Sequence, residues 1–355
     1  MPPPSDEDAL IGWLRRRLRE DGDDLLGNDA ACLPATGSCA FTVDSQIEGI
    51  HVPEGLDPAL LARRLLAVNL SDLAAVGAVP RFALLALSAR AGFDHHRFFE
   101  TFLSACRAQG VTLAGGDLAR SPGGTVATLT LTGELPSPAD ARFLLRSEAR
   151  PGDSLWVGGS LGESAAGQRL IARGARLLPP AGEPDGEEVE RDDGGEGVSL
   201  PTGFETPPAL AAAARRAVAR HLLPKPQLEL GRALGLLPRV AAMDLSDGLA
   251  RDLPRLCRES GTGAEVDADS LPLSPSFEAL CEALGETPVE LALGGGEDYM
   301  LLFTLPPDSP APPPGVSTAC RRIGTVTADR ELRFLRKGHT EPWPRLGWDH
   351  LEEPP

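Results

Sequence analysis

The sequence predicts an α/β fold in two domains. Three observations carry this. Short apolar or alternating runs that read as strands are interleaved with helical segments along the chain. The 355 residues are enough for two sizeable cores. A Pro151-Gly152-Asp153 turn followed by Leu155-Trp156-Val157 opens what reads as a second unit. We divide the chain into residues 1–148 and 149–355, the second carrying an acidic Pro/Gly-rich insertion at about 179–208.

Composition narrows the function. A net charge of −17 argues against a nucleic-acid surface, which needs a basic footprint. No apolar run approaches the roughly 20 residues of a membrane span, and Met1-Pro2-Pro3-Pro4 starts no secretory signal. The six cysteines form no CxxC pair or zinc spacing and read as reduced residues of a cytoplasmic protein.

In chain order, residues 8–20 read as an amphipathic helix with Leu10, Ile11, Leu14 and Leu18 on one face. Cys39 to Val43 reads as a strand ending at Asp44, with Glu48 and His51 in the loop beyond. His51 is either a solvated side chain or a ligand contact. Residues 58–76 form the most apolar helix, from Leu60 to Val76, stopped by Gly77 and Pro80. Asn69 and Asp72, three apart, share a face of that helix. A carboxylate there must be paired, protonated or metal-bound. The competing reading is a structural hydrogen bond.

Pro80 to Ala89 reads as a strand, residues 94–109 as a helix, and Val111 to Ala114 as a strand ending at Gly115-Gly116-Asp117. Thr125 to Gly133 alternates as a strand. Gly158 to Gly167 is a glycine-rich turn into a helix that lacks the GxGxxG spacing. The segment 179–208, dense in acid, Pro and Gly, reads as a solvated insertion. A helix over 209–221 precedes Val240-Ala241-Ala242-Met243, a buried strand stopping at Asp244. Ser246 then caps a helix and Asp247 adds a second carboxylate, although Pro254 kinks that helix or delays its start. Ala264 to Asp267 is a short strand, the apolar run Leu291 to Leu293 ends at Gly294-Gly295-Gly296-Glu297-Asp298, and β character resumes over 299–304 and 323–326. The aromatic segment Gly347-Trp348-Asp349-His350 follows.

Asp44, Asp117 and Asp244 each stand at the end of an apolar run, Asp72 lies in an apolar helix, and Asp29 and Asp247 lie in glycine-bearing turns. Their recurrence points to several hard cations, magnesium first, shared with the phosphates of a nucleotide triphosphate. No P-loop (GxxxxGK[ST]) and no kinase HRD/DFG set is present.

Eight segments together resemble the thiamine-monophosphate kinases, of the superfamily that includes aminoimidazole ribonucleotide synthetase. They are GNDAACL (27–33), TVDSQIEGIHV (42–52), AVNLSDLAAVGAVP (67–80), LAGGDLAR (113–120), RSEARPGDSLWVGGSLGESAAG (146–167), MDLSDGLARDL (243–253), GGEDYMLLF (295–303) and GWDH (347–350). The resemblance implies ATP-dependent phosphorylation of thiamine monophosphate to thiamine diphosphate by direct in-line transfer. It implies magnesium ligands at Asp29, Thr42, Asp44, Asp72, Asp117, Asp244 and Asp247, and ATP contacts at Gly116, Asp117, Arg146 and Ser246. Thiamine monophosphate would meet His51, Glu297 and Trp348, the last against an aromatic ring. It also implies a two-domain α/β fold whose N-terminal strands pair across a homodimer into a barrel, the N-terminal domain binding metal and ATP. The chain departs from the family at Asn28, where a second aspartate is usual, and at Glu148, where glycine is common.

Other members of the superfamily make different demands on the sequence. A selenophosphate synthetase would need a reactive N-terminal Cys closely followed by Lys, yet Lys first appears at 225. A hydrogenase-maturation relative would end in cysteines rather than Glu352-Glu353-Pro354-Pro355. Aminoimidazole ribonucleotide synthetase is the enzymatic runner-up, and a non-catalytic nucleotide- or metal-binding relative the runner-up of another class.

Overall fold

In the computed structural model the described residues are 31–33 (backbone only), 38–136, 141–178, 197–201, 207–309, 311–313, 315–316 and 319–348. The helix expected at 8–20, and Asn28 and Asp29, lie outside them.

The first sheet is five-stranded, in the order β1 (Ala31–Leu33), β2 (Cys39–Ile47), β5 (Val126–Glu134), β3 (Val79–Ala89), β4 (Thr112–Arg120). The β3–β4 pair is parallel and the others are antiparallel. Two helices cover one face. In α1 (Pro58–Ala75), Pro58 occupies the first turn and Asp57 caps it, its carboxylate accepting from Ala59 N–H at 2.8 Å. In α2 (His95–Ala108), Asp94 accepts from Arg97 N–H at 2.9 Å. Leu61, Leu65 and Leu73 of α1 and Phe98 and Phe102 of α2 bury against Leu85, Leu87, Leu129 and Leu131 of the sheet. Each contributes roughly 1.5–3 kcal/mol of burial.

Strand β2 inverts the usual pattern. The side facing α1 carries Thr42 and Gln46, 6% and 3% exposed, with Asp44 between them. The side facing away carries Phe41 and Val43, 37% and 61% exposed. Polar inside and apolar outside is the reverse of what a half-buried strand needs for stability alone. Two expected strand ends are corrected by pairing. Asp44 lies inside β2, paired with Leu129, and Asp117 inside β4, paired with Ala86. Continuous hydrogen-bonded partners on β5 and β3 carry both strands past their carboxylates. The sheet is open in the single chain, and no closed barrel is formed by the described strands.

The second sheet is seven-stranded, ordered β14 (His339–Pro342), β13 (Leu332–Arg336), β10 (Gly263–Asp267), β12 (Arg321–Thr327), β6 (Ser154–Val157), β11 (Leu301–Leu305), β9 (Ala242–Asp244). Helix α6 (Leu249–Ser260) packs Leu249, Leu253 and Leu256 onto it, with Pro254 inside the helix. The other helices are α3 (Glu163–Ala172), α4 (Pro208–Leu222), α5 (Leu228–Leu234), α7 (Pro275–Leu284) and α8 (Pro288–Gly294). Strands β7 (Arg176–Leu178) and β8 (Gly197–Ser199) form a separate pair.

Two more expectations are corrected. The run Leu291 to Leu293 belongs to helix α8, which Pro288 opens. The supposed insertion 179–208 is structured at its far end, because Gly197–Ser199 pairs with β7, Val198 is buried and Pro208 begins α4. Residues 179–196 and 202–206 lie outside the described set.

Helix α1 joins the two halves. It packs on β2 and β5 of the first sheet and also contacts β9 and α5. A Cβ added to Gly231 of α5 would fall 2.0 Å from the Ala74 carbonyl, so only glycine lets these helices approach so closely.

Candidate active site

The polar face of β2 meets the polar positions of α1. Thr42 Oγ1 donates a short hydrogen bond to Asp72 Oδ2. Asp44 N–H donates to Asn69 Oδ1 at 3.1 Å, while Asn69 Nδ2 holds the Leu65 carbonyl at 2.8 Å. One residue before Asp72, Ser71 Oγ donates to Asp244 Oδ2 at 2.6 Å. A single helical turn thus draws carboxylates from both sheets toward one place.

Beyond Asp244 the backbone pairs with the loop after α8. Leu245 N–H bonds Met300 O at 2.9 Å, Tyr299 N–H bonds Leu245 O at 2.9 Å, and Glu297 N–H bonds Ser246 O at 2.6 Å. Ser246 does not cap α6, which corrects the expected helix start. Gly248, at φ 101°, turns the chain so that the helix begins at Leu249 with no side-chain cap. Glu297 and Tyr299 hold left-handed backbone at φ 56° and 51°. Such conformations cost about 1–3 kcal/mol each and cluster at functional sites.

Adjacent carboxylates here do different work. Asp298 turns inward and accepts from the Gly162 and Ser164 N–H groups at 2.7 and 3.3 Å, fastening the glycine-rich turn to the start of α3. Burial raises its pKa to about 7 in spite of those bonds. Glu297 has a side chain 25% exposed. Burial alone would raise its pKa, but Arg64, His221 and then His51 reverse the balance and lower it. The Tyr299 phenol is pushed well above its ordinary range by burial and next by the Glu297 charge, with Asp44 and Asp244 adding to it. The charges of Glu297, Asp44 and Asp244 thus all act on this one buried phenol, opposed by Arg64. His51, whose Nδ1 accepts from Ile47 N–H at 3.1 Å, reaches the same region.

His221, 4% exposed, contacts Ser164 Oγ at 3.1 Å and Glu297 Oε2 at 3.4 Å through Nδ1. Burial lowers its pKa to about 4, opposed by Glu297 and assisted by Arg64. A depressed histidine pKa means the unfolded chain binds the extra proton between about pH 6.5 and 4, so folding stability rises with pH across that window and falls as it is acidified. His221→Gln is expected to remove up to roughly 3 kcal/mol of that dependence. Denaturant titrations of both proteins at pH 5 and 7.5 would show it, and identical pH slopes would refute it.

Other expected site residues are held by different partners. Asp247 is ion-paired to Arg255, which also holds Asp252, and Asp252 accepts from Asp247 N–H at 3.0 Å. Arg146 belongs to this second group. Its carbonyl accepts from Ser260 Oγ at 2.6 Å, and its charge acts on Asp252. Gly116 and Asp117 lie on exposed β4, two strands beyond β5, at the sheet edge opposite β2. Trp348 is 41% exposed and is tied back by its N–H to Asp247 O at 3.1 Å. Among the described residues no three His, Cys, Asp or Glu side chains are grouped closely enough to hold a metal by themselves.

The sequence reading missed Arg64, Gln46 and His221. For Arg64 a signal existed, since positions 64, 68 and 72 recur at four-residue spacing and put it on the Asp72 face. Gly158-Gly159-Ser160-Leu161-Gly162 also has the letters of a GxSxG nucleophile elbow. Packing accounts for its end glycines, where an added Cβ would fall 2.2 Å from Gln227 and 2.8 Å from Ala292.

Two family models match the chain: AIR synthase related protein, N-terminal domain, over residues 27–135, and its C-terminal domain over residues 150–337. The thiamine-monophosphate kinase of Salmonella typhimurium is 34% identical over 98% of this chain and 99% of its own length. That of Aquifex aeolicus is 30% identical over 97% and 98%. A solved structure described as AaThiL complexed with AMPPCP and TMP superposes with a TM-score of 0.78 at 28% identity, covering 97% of each chain. A HypE–ATP complex, 20% identical with a TM-score of 0.58, shares the fold. The chain belongs to the AIR synthase related family and, within it, to the thiamine-monophosphate kinases.

Proposed function

We propose that this protein phosphorylates thiamine monophosphate to thiamine diphosphate with ATP, the substrate's phosphate attacking the γ-phosphate in line. The observation that carries this is likeness to thiamine-monophosphate kinases at 34% identity over 98% of the chain. Asp44, Asp72 and Asp244, approached through one turn of α1, supply the acidic cradle such a reaction needs. The test is ADP release from the full-length chain with ATP and magnesium, offered thiamine monophosphate, thiamine or an aminoimidazole precursor in parallel. Turnover confined to thiamine monophosphate is expected, and turnover with the imidazole precursor instead would overturn the reading.

We assign magnesium to Asp29, Thr42, Asp44, Asp72, Asp117, Asp244 and Asp247. The donors are all hard oxygens, which suits magnesium, and since no described trio holds an ion alone the phosphates would complete the shell. When bound, magnesium neutralises charge on both phosphates. Thr42 orients the Asp72 carboxylate and Ser71 that of Asp244, so the acidic groups are aimed before the nucleotide arrives. Asp247 would share its carboxylate between a cation and Arg255. Gly116, Asp117, Arg146 and Ser246 would contact ATP, and His51, Glu297 and Trp348 thiamine monophosphate. Trp348→Ala is expected to raise KM for thiamine monophosphate about tenfold while KM for ATP stays within about twofold. Steady-state kinetics in both substrates checks it, and an effect confined to ATP would reverse the assignment.

We also propose that a second copy covers the outer face of the first sheet, closing the barrel of a homodimer. Cross-strand rows Phe41–Thr132–Phe82 and Val43–Thr130–Leu84 support this, with Val43, Phe82 and Leu84 61%, 50% and 49% exposed. The domain division at 148/149 and a cytoplasmic location, where ATP is plentiful, complete the proposal.

A further inference from the structure

We infer that Arg64 is a positioning residue for substrate binding, holding Glu297 at the ring end of thiamine monophosphate. The inference rests on the proposed contact between Glu297 and that substrate. Arg64 lies on α1, its side chain 0% exposed, and every arm of its guanidinium is engaged. Nε donates to Gln46 Oε1 on β2 at 2.7 Å, one terminal nitrogen to the His221 carbonyl on α4, and the other to Glu297 Oε1 at 2.7 Å. The three partners come from the first sheet, a helix of the second half and the strained loop after α8. The fork therefore fixes both halves of the molecule against one carboxylate.

A guanidinium is costly to bury, and a well-packed apolar side chain would hold three elements together at least as well. What an apolar side chain cannot do is keep a partly exposed carboxylate ionised and aimed. Glu297 needs both for the task proposed, because thiamine presents a permanently cationic thiazolium ring. Its second oxygen lies 3.4 Å from His221 Nδ1, so Arg64 holds one oxygen and the buried imidazole stands beside the other, while one quarter of the side chain faces solvent. Spacing gives the arrangement a direction. Arg64 and Asp72 share a helix face eight residues, or about 12 Å, apart along the axis. One rigid helix thus positions the ring-binding carboxylate at one end and the phosphate-handling carboxylate at the other.

The test measures KM for thiamine monophosphate and for ATP in full-length Arg64→Met, Arg64→Lys, Glu297→Gln and the Arg64→Met/Glu297→Gln double variant. Arg64→Met is expected to raise KM for thiamine monophosphate about tenfold and leave that for ATP within about twofold, with Arg64→Lys recovering part of the loss. The double variant is expected to be no worse than Glu297→Gln alone, because Arg64 acts through Glu297. An unchanged KM for thiamine monophosphate in Arg64→Met, equal rises for both substrates, or multiplying effects in the double variant would each overturn the inference. If Glu297→Gln itself leaves that KM unchanged, the assignment of Glu297 fails first and the inference with it. If only the Arg64 variants are silent, the inference alone fails. Should Arg64→Met not fold, Arg64→Lys decides on the same readout: a selective rise supports the inference and no rise sinks it.

Discussion

Asp72→Asn is expected to cut turnover by about 10³-fold or more while the protein stays folded. The amide keeps the size of the side chain and still offers an oxygen to Thr42 Oγ1, which donates to Oδ2 in the parent. Asp72 is only half-buried, so no apolar packing is lost. What disappears is the negative charge on the one helix that reaches Asp44 through Asn69 and Asp244 through Ser71. If that charge serves phosphoryl transfer, kcat collapses and the melting temperature moves by less than about 3 °C. If Asp72 merely bonds Thr42 for structure, turnover stays within about tenfold of the parent, because the hydrogen bond survives. Single-turnover kinetics beside a thermal melt separates the two outcomes.

Local sequence made α1 legible. Its apolar length, with Gly77 and Pro80 beyond its end, bounds it at 58–76 against an observed Pro58–Ala75. Asn69 and Asp72 were readable as one-face residues for the same reason. Strand β2 was misread because nine residues of pairing with β5 override the apparent stop at Asp44. Pairing partners distant in sequence leave no local trace. Helix α8 was misread because three apolar residues before a glycine run suit either element, and the Pro288 that decides for helix lies outside the run. The hairpin of β13 and β14 was missed although Lys337-Gly338 supplies its positive-φ turn, at 49° and 76°. Spacing puts Arg64 on the Asp72 face but does not reveal its burial, since an arginine beside Arg63 reads as a solvated side chain until the structure shows which of the two is buried.

Gly116→Ala is expected to damage the protein where Gly115→Ala does not, although both belong to one Gly-Gly-Asp motif. A Cβ at Gly116 would lie 1.8 Å from the Leu85 carbonyl oxygen and 2.7 Å from its carbon, both backbone atoms that cannot rotate away. Strand β4 would have to retreat from β3, breaking the parallel pairing that runs from Leu84↔Gly115 to Ala89↔Arg120. At Gly115 the nearest atom is a Leu84 methyl at 3.5 Å, ordinary contact. We expect Gly116→Ala to lower the melting temperature by about 5 °C or more and turnover at least about tenfold, because Asp117 moves with the strand. Gly115→Ala should stay close to the parent in both. Were the glycines present only to admit ATP, both variants would lose ATP affinity with little change in melting temperature. Melts and ATP titrations of the two variants side by side therefore decide whether this motif is spaced for the nucleotide or, as the backbone contact indicates, for the neighbouring strand that holds Asp117.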